Sequence, residues 1–170
     1  SRLTVMGSCL DRIEGVFEEK TLPDNGKKHI PATSSAPEIV FENVTFAYGE
    51  EDTVRGVSFA AEKNTMTALV GPSGGGKTTL ANLLARFWDI KSGSIKVRGV
   101  DIRDVPLSEL MDKISMVFQR VYLFQDTVYN NITMGRPTAT REEVEEAAKK
   151  ARCYDFIMNL PQGFDTVIGE

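Results

Sequence analysis

The chain has 170 residues, 41% of them hydrophobic, with 20 Lys+Arg against 24 Asp+Glu for a formal net charge of −4. That length allows one domain with a core of its own, and the mild acidity argues against nucleic acid as a partner, since such binders are usually basic. No run reaches the ~18–20 apolar residues of a membrane span, no secretory leader is visible at the start, and Cys9 and Cys153 are too distant in sequence to form a metal-spaced pair, which fits a reducing, cytosolic compartment.

In residues 1–20, Leu3, Met6, Leu10, Ile13 and Phe17 recur three or four apart, the apolar face of one helix. Because a linker follows, this helix reads as the end of something upstream; the alternative is a helix packed on the same domain. Residues 21–37 hold Pro23, Asp24, Asn25, Gly26, Pro31, Ser34, Ser35 and Pro37, and read as a flexible connection and domain boundary. The single histidine, His29, falls here and reads as a solvated loop residue.

The globular part is expected from residue 38 onward. Ile39, Phe41, Val44, Phe46 and Tyr48 form a strand pattern whose alternation slips by one near Asn43, as a bulge would cause. A turn over residues 49–52 leads to Val54, Val57 and Phe59, a second strand pairing with the first. Residues 65–70 are a short apolar run suited to a buried strand, and residues 79–87 read as a helix. Ser92-Gly93 is expected to turn the chain, with Ile95 and Val97 in the strand after it and a turn at residues 99–101. A short helix over 107–111 precedes a short apolar strand over 114–118. Further on, Thr140 with Glu143 three residues later is a capping box opening a helix with an apolar stripe of Val144, Ala147, Ala148 and Ala151. A last helix over 154–160 stops at Pro161.

Between the run 65–70 and the helix after it lies Gly71-Pro72-Ser73-Gly74-Gly75-Gly76-Lys77-Thr78, which fits G-x-x-x-x-G-K-S/T at every fixed position. The residue types suit phosphate. Backbone N–H groups must close around the anion, side chains would obstruct that approach, and the following helix adds its unpaired N–H groups and positive dipole end. Lys77 is placed to reach the β- and γ-phosphates and Thr78 to put its hydroxyl on Mg²⁺. A plain Gly-rich turn between strand and helix is the competing reading, and the strand–loop–helix context favours nucleotide.

The order of four motifs is more specific than the loop alone. Phe46-Ala47-Tyr48-Gly49, the phosphate loop, Val117-Phe118-Gln119, and the segment from Leu123 to Ile132 together resemble the nucleotide-binding domain of an ABC transporter. The resemblance covers about residues 38–170. It implies an α/β fold, a P-loop NTPase core with an antiparallel β subdomain at the start and the beginning of a helical subdomain. It implies that residues 71–79, including Thr79, form the Walker A loop, that Tyr48 stacks on adenine, and that Gln119 is the Q-loop glutamine touching Mg²⁺. With Lys77, Gln119 would serve catalysis. Without the resemblance, Tyr48 reads as a strand-end aromatic and Gln119 as a polar strand cap. Phe124 to Ile132 resemble the segment that faces the coupling helices of exporters, and residues 166–170 resemble the exporter X-loop.

The resemblance implies ATP and Mg²⁺ as ligands, a second nucleotide-binding domain and a membrane-spanning domain as partners, and a location on the cytoplasmic face of the cell membrane. The sequence departs from the family pattern in holding no LSGGQ signature, no Walker B aspartate and glutamate, and no switch histidine. The expectation is therefore the first part of a longer domain, incomplete relative to the family, that binds nucleotide and turns it over little by itself. A non-catalytic P-loop module for interaction or nucleotide sensing is the alternative.

Overall fold

The computed structural model of the chain describes residues 21–169, so the helix expected over 1–20 lies outside the described residues. The chain divides into two compact units that part between Ser115 and Met116.

The first unit is built on a four-stranded antiparallel sheet in the order β2-β1-β3-β4. Its strands are β1 (Ile39–Phe46), β2 (Val54–Ala61), β3 (Ser92–Val97) and β4 (Val100–Asp101). Phe41, Val44 and Phe46 of β1 are buried, and the register with both neighbours shifts around Asn43, whose φ is 47°. The bulge read from the slipped alternation is therefore present. It also explains Gly93, which is not a turn residue but lies within β3 opposite the bulge, at φ 92°. A Cβ there would stand 2.4 Å from the Glu42 carbonyl oxygen, so no other residue fits without moving the backbone. The turn falls at Arg98-Gly99, both with positive φ, as a two-residue hairpin loop requires.

Helix α1 (Lys77–Leu84) buries Leu80 and Leu83 in the same cluster as Phe41, Val44 and Ile95, and α2 (Leu107–Met111) adds Leu110. α1 ends on a Schellman motif. The Phe87 N–H reaches the Asn82 carbonyl at 3.0 Å and the Arg86 N–H reaches Leu83 at 3.0 Å. The left-handed position, usually glycine, is Arg86 at φ 52°. Its buried side chain compensates by bonding Asp89 at 3.0 Å and the Pro23 carbonyl at 2.7 Å.

Residues 21–37 differ from the flexible connection expected from their composition. They have no regular structure, yet they are strapped to the first unit. Asp24 accepts from the Leu107 N–H at 2.8 Å, Lys28 pairs with Asp104, and Ile30 is buried in the core. His29 is exposed, as read, but its Nδ1 lies 2.6 Å from Glu109 Oε2.

Two expected strands are absent. Residues 65–70 and 114–118 are irregular, with Met66 98%, Val70 92% and Val117 96% exposed. A strand must pair its N–H and C=O groups with a neighbour, and among the described residues none pairs with either run.

The second unit packs α3 (Val128–Thr133), α4 (Arg141–Lys150) and α5 (Tyr154–Met158) around Val128, Val144, Ala148, Ile157 and Phe164. The capping box at Thr140 and Glu143 is formed in both directions. A two-stranded ribbon, β5 (Asp126–Thr127) with β6 (Val167–Ile168), ties the start of α3 to the last residues of the unit. No helix among the described residues is long and apolar enough to cross a membrane.

Candidate functional site

The phosphate loop hangs between an irregular entry and a well-packed exit. Gly74 and Gly76 take φ 78° and 80°, and the Gly75 N–H closes onto the Pro72 carbonyl at 3.2 Å. Gly76 immediately precedes α1 and presses on the start of β2. A Cβ there would lie 3.2 Å from the Thr53 carbonyl oxygen and 3.3 Å from Val54. Gly71 and Gly74 face open space, with no atom within 4 Å of the place a Cβ would take.

Lys77 folds across the loop, its Nζ donating to the Gly71 carbonyl at 2.8 Å and to Pro72 at 2.6 Å. Both acceptors are neutral, and among the described residues no carboxylate pairs with this ammonium. The first turn of α1 directs its own unpaired N–H groups toward the loop. Pro72 and Ser73 are exposed, as is Thr78. Thr79 is buried, and its hydroxyl faces Tyr48, whose Oη donates to Thr79 Oγ1 at 3.4 Å.

That bond brings the sequence-predicted aromatic to the helix that starts at the phosphate loop. Tyr48 stays 50% exposed, as a ring needs to be to offer a face to a ligand. It also meets Phe46 edge-on at 4.7 Å between centroids, and Trp88 at 5.3 Å and 89°. Trp88 escaped the sequence reading. The available signal was that it is the single tryptophan, set just beyond the end of the phosphate-loop helix.

Gln119 lies in the second unit, exposed, on a bend instead of a strand end. Tyr48 and residues 71–79 are thus gathered within the first unit, and Gln119 belongs to the other. Asn131 was also missed. Its Nδ2 donates to the carbonyls of Phe124 at 3.0 Å and Thr127 at 3.0 Å, and its Oδ1 accepts from the Phe124 N–H at 2.9 Å, which fixes the shape of the segment 124–131. No group of three or more His, Cys, Asp and Glu able to hold a metal occurs among the described residues.

The family model for the ABC transporter matches residues 54–166, more than half of the chain. The chain belongs to the ABC transporter family. Membership brings ATP binding with it, and the match runs through the loop and α1 but begins after Tyr48. An ATP-dependent lipid A-core flippase of Desulfotalea psychrophila is 48% identical over 142 residues, covering 82% of this chain and 25% of that protein. A Staphylococcus aureus protein bearing the name of a multidrug export ATP-binding/permease protein is 46% identical over 148 residues, covering 86% of this chain and 26% of that protein. Among solved structures, a bacterial Atm1-family ABC exporter with ATP bound matches with a TM-score of 0.83 and 37% identity, over 98% of this chain and 30% of that one. The chain spans about a quarter of the length of the curated relatives it matches.

Proposed function

We propose that this chain is the ATP-binding portion of an exporter that couples ATP binding and hydrolysis to transport across a membrane. The observation that carries the reading is the Tyr48–Thr79 hydrogen bond, which sets an exposed ring against the first turn of the phosphate-loop helix. A base and a triphosphate would thereby be met by one element. Lys77 exchanges its two carbonyl acceptors for β- and γ-phosphate oxygens, a stronger, charge-assisted partnership. Residues 71–79 wrap the phosphates, all of them except Pro72 offering a backbone N–H, and Tyr48 stacks on adenine. Mg²⁺ needs only one or two protein ligands beside phosphate and water, which suits the hydroxyl of Thr78.

The partners follow from the family: a second nucleotide-binding domain closing head to tail, and a membrane-spanning domain met through the segment 124–132, on the cytoplasmic face of the membrane. The exporters and the flippase among the relatives support this. Hydrolysis needs charge stabilisation and a group that orients water. The chain holds no signature or Walker B motif, so it binds nucleotide and turns over little by itself. A non-catalytic P-loop module is the second reading, favoured by the lack of signature and Walker B motifs in this sequence.

Calorimetric titration with MgATP tests the binding claim. Lys77→Ala should weaken affinity by about ten- to a hundredfold, the scale of a hydrogen bond to a charged group, and equal affinity would overturn it. Continuous phosphate release from the 170-residue chain, abolished by Lys77→Ala, would contradict the claim of low turnover. Transport activity restored when this chain is joined to the remaining parts of an exporter supports the transporter over the module.

A further inference from the structure

The geometry points to Trp88 as a positioning residue for the base-binding ring, so that the helix that carries the phosphate loop also sets the ring of Tyr48. This rests on the reading of Tyr48 as the adenine platform. Tyr48 lies beyond the end of β1, on an exposed bend, where a tyrosine would ordinarily sample several rotamers. Three contacts restrain it: the hydroxyl bond to Thr79, the edge of Phe46, and Trp88 at 5.3 Å and 89°. Phe46 is a buried core residue and holds only the root of the cluster. Thr79 and Trp88 both depend on α1, one in its first turn and one just past its last. The aromatic and the phosphate loop are therefore indexed to a single rigid element from both ends.

The route of the chain to Trp88 is specified by more than the ring contact. After α1, Arg86 adopts a left-handed conformation that few residues other than glycine accept. Its buried guanidinium is pinned by Asp89 on one side and the Pro23 carbonyl on the other. The Schellman closure then turns residues 87 and 88 back toward β1, and Trp88 remains 49% exposed against Tyr48 while the core beneath is already filled by Leu83 and Ile95. Trp88 also approaches Phe46, at 6.3 Å between centroids, so its inner edge packs on the core while its open half lies beside Tyr48. An indole at near-perpendicular contact blocks rotation of the Tyr48 ring and leaves the ring half open to a ligand.

The test separates base from phosphate. MgATP and magnesium tripolyphosphate, which has the phosphates and no base, are titrated calorimetrically into wild-type chain, Trp88→Phe and Trp88→Ala. The expected result is that Trp88→Ala weakens MgATP by roughly three- to tenfold, the scale of one aromatic pair. Tripolyphosphate affinity should be unchanged and Trp88→Phe should restore most of the loss. Trp88→Ala binding MgATP as wild type does, or losing both ligands in equal measure, overturns the inference while leaving the nucleotide reading intact. Wild-type chain that binds the two ligands equally overturns the Tyr48 reading itself. If Trp88→Ala does not fold, the wild type still decides. Emission from this sole tryptophan should change with MgATP and not with tripolyphosphate, and emission unchanged at saturating MgATP overturns the inference.

Discussion

Between residues 21 and 120 two kinds of strand-like apolar stretch occur, and only one became sheet. β1 and β3 alternate apolar with polar residues and pair antiparallel. Residues 65–70 and 114–118 are short apolar runs, the pattern of strands buried on both faces, and they stay irregular and mostly exposed, with Ile114 half-buried against the core. The difference lies in who supplies the partners. An antiparallel pair with one buried face can assemble from nearby segments, whereas a strand of a parallel sheet needs neighbours and cover brought from far along the chain. The phosphate loop stands where the two regimes meet. Its entry at Val70 is unsupported, and its shape comes from the exit, where Gly76 presses on Thr53 and Val54 and α1 is anchored by Leu80 and Leu83.

The most severe way to break this comparison is to cut one side chain from each region. Ile95→Ala removes a fully buried side chain and should cost about 2–5 kcal/mol, whereas Val70→Ala should stay within about 0.5 kcal/mol. Urea unfolding of both variants measures this, and equal costs would mean that residues 65–70 are packed in solution. Gly93→Ala against Gly71→Ala sharpens the same contrast. The first forces a Cβ to within 2.4 Å of a carbonyl oxygen at positive φ, and the second meets open space. Gly93→Ala should cost about 1–3 kcal/mol or more, and Gly71→Ala no more than about 0.5 kcal/mol.

What the sequence revealed follows the same division. The bulge at Asn43 was legible because a slip in a two-residue period has one meaning. The capping box at Thr140 was legible because its chemistry is local. The phosphate loop was legible because few residue sets perform that task. Residues 65–70 and 114–118 misled because an apolar run states a demand for burial without saying whether partners arrive. The strap over 21–37 misled in the opposite sense. Its composition signals a loop, and its attachment depends on pairs 63 to 83 positions apart, such as Arg86 with Pro23, Ile30 with Glu109 and Asp24 with Leu107. The one visible sign was Ile30, a lone buried aliphatic in a polar stretch. Trp88 was illegible as a partner of Tyr48 because their contact depends on the turn at Arg86.

The strap and residues 65–70 make a subtler pair, since neither has regular structure and only one is fastened. Trypsin should therefore cut after Lys63, just ahead of the unsupported run, before it cuts after Lys27 or Lys28. Mass spectrometry of the first fragments gives the order, and early cleavage in the strap would reverse the comparison.

The smallest effect concerns one fastening of that strap. The Glu109 carboxyl lies below the usual glutamate range, first because the His29 side chain hydrogen-bonds to it and second because the Ile30 N–H donates to its other oxygen. A carboxyl whose pKa is depressed by folding contributes stability that is present above its unfolded value, about 4.3, and lost as pH falls through the folded value. Acidification should therefore loosen the strap at Ile30 only below about pH 4.3, and neutral conditions should leave it docked. The Ile30 amide proton, bonded to Glu109 at 2.8 Å, reports this directly by NMR. Its shift should titrate with a midpoint below that of a free glutamate, and Glu109→Gln should remove the titration while the amide stays protected at neutral pH. A midpoint at or above the free value would mean that the two contacts do not hold the carboxylate in solution, and the strap would then resemble the unfastened run after all.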